Sequence, residues 1–199
     1  MRNIILLLVL LMPFCWHCGG SLPEMHYYLI DYPVTSQSDR VEVVRPVVIG
    51  VARLDAAPLY REERLVYRDS PYEGKYYHYH RWIASPGQMI ADKLIEHLRA
   101  SNRFAQVVAF PKYSRVDFVL QGIINALEEW DEDGQWYARV QLSFELMDSK
   151  TSELVWQKTL VQKNRVTEKQ PAAVVAGINL GVQQCIETLE QELAAYFLK

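Results

Sequence analysis

Cysteine is scarce in this chain, long apolar runs are scarcer, and neither sign of charge dominates it. Three cysteines stand in 199 residues, and two of them, Cys15 and Cys18, crowd the N-terminus. Cys185 is then left without a partner for a structural disulfide, so stability must come from packing. The 21 basic and 24 acidic residues give a net charge of −3, and no basic stretch invites nucleic acid. Catalytic signatures are missing too: there is no G-x-S-x-G, no phosphate-cradling glycine loop and no H-E-x-x-H. No cofactor is expected. Without internal repeats or low-complexity blocks, the chain suits one domain with a sizeable core.

What is present begins with a targeting segment. Ile4 to Met12 is an unbroken apolar run behind Arg2, too short to span a bilayer and suited to a secretory signal. Cys15-Trp16-His17-Cys18 has the spacing of a redox centre, but it abuts the apolar run instead of opening a helix after a strand. A lipoprotein signal fits better, with a cysteine at the cleavage point carrying the acyl chains. Neither cysteine follows the usual small residues. Cys18 is favoured over Cys15 because Gly19, Gly20 and Ser21 follow it as a flexible tether. The expected organisation is a signal peptide over 1–17, a tether over 18–26 and one domain over 27–199.

The domain is organised around Val116 to Val161, which reads as a three-stranded meander. In its middle strand Trp136, Ala138, Val140, Leu142, Phe144 and Leu146 alternate with Tyr137, Arg139, Gln141, Ser143 and Glu145. The strand before repeats the pattern through Phe118, Leu120, Gly122, Ile124 and Ala126, and the strand after offers Leu154, Trp156 and Leu160. Tyr27 to Tyr32 reads as a short strand, Val47 to Ala52 as a central strand apolar on both sides, and Arg64 to Arg68 with Lys75 to Trp82 as a hairpin. Ser85-Pro86-Gly87-Gln88 predicts a helix start with a capping box, and a second helix starts near Pro171. Each helix has one apolar face to lay on the sheet. The expected fold is α+β: a two-layer sandwich of a mostly antiparallel sheet with two helices packed on one face.

Candidate chemistry is thin. His78 and His80 point the same way on a strand, but no third metal ligand stands near them, and a polar strand face is the plainer reading. His97 reads as a rim histidine without a partner, Asp131 to Asp133 as turn residues, and Cys185 as a small buried hydrophobe. Aromatics are the surplus. Tyr72, Tyr76, Tyr77, Tyr79 and Trp82 crowd the approach to the first helix, and Tyr72, Tyr76 and Tyr79 are the candidate residues for contact with a partner. Tyr76 and Tyr79 are expected on opposite faces, one inward and one outward, with Trp82 packed under the helix.

The tethered Tyr27-Tyr28-Leu29, the Val47 to Ala52 strand, Leu65-Val66-Tyr67-Arg68 and the Arg81-Trp82-x-x-x-Pro86 entry into the first helix together resemble the ABC-type transport auxiliary lipoproteins. These are the PqiC-like periplasmic partners of transport systems built on MCE (mammalian cell entry) domain proteins. The resemblance implies a non-enzymatic lipoprotein in the periplasm, anchored to the outer membrane, that serves lipid transport across the cell envelope. Its implied partners are an MCE-domain protein and an ABC permease and ATPase complex; homo-oligomerisation is left open. The alternative is an assembly or structural lipoprotein of a secretion or surface-polymer apparatus.

Overall fold

Period-two alternation builds the trunk of the sheet. The computed structural model describes residues 23–35, 45–113 and 115–198. Within it Phe118–Glu132 (β7), Gln135–Asp148 (β8) and Leu154–Arg165 (β9) form an antiparallel meander. The β7–β8 turn is made by Asp133 and Gly134, both left-handed at φ 53° and 70°, which matches the twist a two-residue hairpin requires. At the next turn the Asp148 carboxylate accepts the N–H groups of Lys150 and Thr151 at 2.8 and 3.0 Å.

The far edge of β7 carries three separate parallel strands. Arg45–Ala52 (β2) pairs beside Phe118 to Leu120, Asp55–Ala56 (β3) beside Ile123 and Ile124, and Arg64–Ser70 (β4) beside Glu128 to Trp130. Two branches grow outward from there. Phe104–Phe110 (β6) lies parallel on β2, while Glu73–Trp82 (β5) lies antiparallel on β4 and carries His26–Tyr28 (β1) in parallel on its other edge. The sheet is therefore mixed, which corrects the mostly antiparallel expectation. The physical reason lies in β2: a strand apolar on both faces belongs between parallel neighbours, and β6 and β7 supply them. β6 itself was not legible as an element, because its run is too short to separate strand from helix.

The helices are Pro86–Ala100 (α1) and Pro171–Leu198 (α2). α1 lies against β2 and β6, α2 against β8 and β9, and the two touch each other. α2 approaches β8 closely through small residues: a Cβ on Gly177 would stand 2.7 Å from that of Ala138, and one on Gly181 2.8 Å from a Val140 methyl carbon. Val174, Ile178, Val182, Cys185, Leu189 and Leu193 fill the seam, and Phe197 is buried at its end. α1 starts where the serine and proline predict, but the capping box does not form. Ser85 Oγ accepts Arg53 instead, and Gln88 turns to Asp92.

Two further corrections concern the helix layer. The strand expected over Tyr27 to Tyr32 stops at Tyr28, after which the chain crosses to the helices. Asn179 donates to the Leu29 carbonyl at 3.1 Å and accepts from Asp31 N–H at 2.6 Å, and Lys93 pairs with Asp31 at 2.6 Å. His97 does have a partner, because Glu190 of α2 meets its Nε2 at 2.9 Å and accepts Arg103 Nε at 2.6 Å. Burial pushes the Glu190 carboxyl up, but the hydrogen bonds from His97 and Arg103 outweigh it and hold the group below the ordinary carboxylate range.

Candidate functional site

One irregularity in β7 decides which face of the sheet each of two adjacent glutamates takes. Ile124 stands opposite Leu142 but Ala126 opposite Gln141, so Asn125 is an extra residue and the alternation changes phase. Ala126 thereby leaves the face assigned to it by simple alternation. Beyond the bulge Glu129 pairs with Ala138 on the face that α2 covers, and Glu128 pairs with Arg139 on the other. Both are buried.

A second irregularity, in β5, builds the surroundings of Glu129. Val66 pairs with Tyr76 but Arg64 pairs with Arg81, so two steps along β4 oppose five along β5. The excess brings Tyr77 and His80 onto one side, where their rings meet edge to face at 5.4 Å. The Tyr77 hydroxyl donates to Glu129 Oε2 at 2.7 Å, and its ring leans on Tyr67 at 4.9 Å. His80 stacks on His26 at 4.9 Å and 9°, and its Nδ1 lies 2.9 Å from the Tyr28 hydroxyl. Burial, followed by the neighbouring His26, lowers the His80 pKa. β1 is thus fastened to β5 by rings as well as by backbone, and the cross-strand pair His26 and His80 had no local signal in the sequence.

Burial raises the Glu129 carboxyl to about 7, with the Asp131 charge adding to the rise and the Tyr77 hydrogen bond opposing it. The folded protein therefore binds this proton more tightly than the unfolded chain does. Stability from this group is fully present below the ordinary value of 4.5 and is lost as pH rises through about 7. Glu129→Gln should abolish that part of the pH dependence, leaving a variant that gains melting temperature relative to wild type between pH 5 and pH 8. Thermal melts across that range check it; parallel curves for the two proteins would mean that Glu129 does not titrate there.

On the opposite face Glu128 is fully buried. It accepts the Tyr60 hydroxyl at 2.5 Å and Arg139 at 3.2 Å, with Arg68 at 3.6 Å. Tyr60 arrives on a single 3-10 turn, Pro58–Tyr60, and both guanidinium groups lie over Trp130, at 5.1 and 5.6 Å from a ring centroid. Four segments of chain are tied together here.

The three candidate contact tyrosines have different surroundings. Tyr72 is 96% exposed at the β4–β5 turn. Tyr76 is partly buried, donating to the Leu59 carbonyl at 3.1 Å beneath the Arg64 guanidinium, 4.0 Å from its ring centroid. Tyr79 is 44% exposed beside His78. Trp82 is buried in the core. His78 faces solvent while His80 joins Tyr28 and His26, so the two histidines do not converge as expected. Among the described residues no group of three or more His, Cys, Asp or Glu is placed to hold a metal ion. Asp131 accepts Trp136 Nε1 at 3.1 Å, Asp133 forms the turn, and burial pushes the Cys185 thiol up to about 12. Cys15 and Cys18 lie outside the described residues.

A family described as the ABC-type transport auxiliary lipoprotein component matches residues 28–190. No curated protein matches the chain. Among solved structures, protein XCC0632 from Xanthomonas campestris is 21% identical with a TM-score of 0.75, covering 85% of this chain and 95% of its own. A crystal structure of an uncharacterized protein is 13% identical with a TM-score of 0.68, covering 86% and 99%. The hypothetical protein CT253 from Chlamydia trachomatis is 8% identical with a TM-score of 0.51, covering 77% and 98%. These likenesses show a shared fold. The family match extends from Tyr28 of β1 to Glu190 of α2, and the chain belongs to the ABC-type transport auxiliary lipoprotein family.

Proposed function

We propose that this auxiliary lipoprotein acts by contact and not by chemistry, as the periplasmic, outer-membrane-anchored component of an MCE-associated ABC system that moves lipids across the cell envelope. The family match over residues 28–190 carries the reading. The architecture supports it: the polar groups with unusual surroundings, Glu128, Glu129 and His80, are occupied in fastening strands to one another. Exposed rings remain for a partner, and Tyr72 and Tyr79 present them without obligations to the core. The ATPase and the permease are separate chains in this reading.

Anchoring rests on Cys18. Metabolic labelling with a palmitate analogue should mark the wild type and not Cys18→Ser; label that persists in Cys18→Ser but disappears in Cys15→Ser moves the anchor, and an unlabelled wild type removes it. The contact role makes an asymmetric prediction for one strand. Tyr79→Ala should keep the melting temperature and lose co-purification with the transport complex, whereas Tyr76→Ala, which gives up its bond to Leu59 and its place under Arg64, should lose about 1–3 kcal/mol of stability. Equal stability losses in both variants, or unchanged association in both, would place the contact surface elsewhere.

A further inference from the structure

The sheet ends in edges that are treated very differently. At β6 two carbonyls are taken from outside the sheet: Arg99 Nε donates to Val107 O at 2.7 Å, and Tyr113 N–H to Ala109 O at 3.3 Å. β1 is only three residues long, and beyond it the Leu29 carbonyl is held by Asn179. β9 is different. It runs for 12 residues paired to β8 alone, and among the described residues no hydrogen bond reaches its backbone from the other side. A long strand with a bare row of N–H and C=O groups is a template for another strand.

Its composition narrows what that strand is. Between Leu154 and Arg165 stand Lys158, Lys163 and Arg165, with no aspartate or glutamate, in a protein whose net charge is negative. Lysines on an edge often serve to repel a neighbour. Here both are drawn back over the molecule, Lys158 onto Glu192 of α2 at 3.1 Å and Lys163 onto Glu132 at 2.5 Å, with its ammonium over the Tyr137 ring. They leave the backbone row uncovered, and Arg165, in no ion pair among the described residues, adds an uncompensated cation at its end. Val161 and Leu154, 54% and 47% exposed, supply apolar contact at the same edge.

We propose that the free edge of β9 receives an extended, acidic segment of a protein partner, which adds beside it as a further strand. Backbone hydrogen bonds provide the affinity in this mode and the cations choose the sign of the guest. The inference rests on the contact role proposed above only for the partner's identity; the edge itself can be tested without the transport complex.

The probe is a short end-blocked peptide alternating valine with aspartate, compared with its valine–lysine counterpart, on the purified mature chain. The aspartate peptide should bind about tenfold more tightly, as a few rim ion pairs allow, and should slow amide exchange in β9 but not in β6 or β1. Lys158→Glu combined with Lys163→Glu should reverse the preference while the far-ultraviolet spectrum is retained. Arg165→Glu alone, at a position without an intramolecular ion pair among the described residues, should weaken the aspartate peptide without loss of stability. Equal binding of both peptides, no protection in β9, or a β9 already protected in peptide-free protein that elutes as an oligomer would each overturn the proposal. The last outcome gives the edge to a second copy. Peptide binding with no transport proteins recovered from membranes would leave the strand site standing and remove the transport reading.

Discussion

Glu128→Ala should lower the stability of the domain by about 3–5 kcal/mol, the range observed when one partner of a buried ion pair is removed. The loss does not come from the carboxylate's own attractions alone. Truncation leaves Arg68 and Arg139 beside Trp130 without their shared counter-charge, and strands the Tyr60 hydroxyl that now donates to Glu128. Arg68 is 18% exposed and gains little from water in compensation. Urea unfolding followed by tryptophan fluorescence checks this. Glu128→Gln should fall between wild type and Glu128→Ala, since the amide oxygen still accepts but carries no charge. A Glu128→Ala midpoint equal to that of wild type would show that the arginines find other partners and that the network holds nothing together.

Trp82→Ala is the second large effect, again about 3–5 kcal/mol, from lost transfer free energy and the cavity left behind. Trp82 is 2% exposed at the end of β5, its backbone N–H donates to the Glu63 carbonyl, and it pairs with Tyr28 across the β1 junction just before α1 begins. Truncation removes packing where β1, β5 and the helix entry meet. The variant should therefore melt early and also expose β1 to amide exchange before the rest of the sheet. Tyr79→Ala, three residues earlier on the same strand, serves as the control, because its ring is 44% exposed. Similar melting temperatures for the two would contradict the burial on which the partner surface was assigned.

How far these features were legible depends on whether their cause is local. The meander, both helix starts and the β7–β8 turn were legible because alternation, Pro86, Pro171 and the acidic turn residues act within a few residues of themselves. β2 is legible as a central strand from its apolar faces, whereas its parallel partners and the short strand β6 are not. Parallel partners meet across a crossover, and nothing within Val47 to Ala52 names them. The bulge at Asn125 illustrates the remaining difficulty: one unpaired residue exchanges the faces that Glu128 and Glu129 take, and a residue-by-residue alternation carries through it without a mark. The excess residues in β5 did the same to the tyrosines and histidines, separating His78 from His80 and delivering His26 as the partner. The capping box failed for a tertiary reason, because Arg53, just past the end of β2, claims the Ser85 hydroxyl. The family likeness was legible because it rests on order and spacing along most of the chain, which such local departures leave intact.

The measurement that tests the account most directly is affinity purification of the full-length tagged chain from membranes in mild detergent, with the co-purifying proteins identified. An ATPase, a permease and an MCE-domain protein are expected in the wild-type eluate, and their loss is expected from Tyr79→Ala at unchanged melting temperature. Recovery of the folded, membrane-bound chain without any of the three, or with components of a secretion or surface-polymer apparatus in their place, would contradict it.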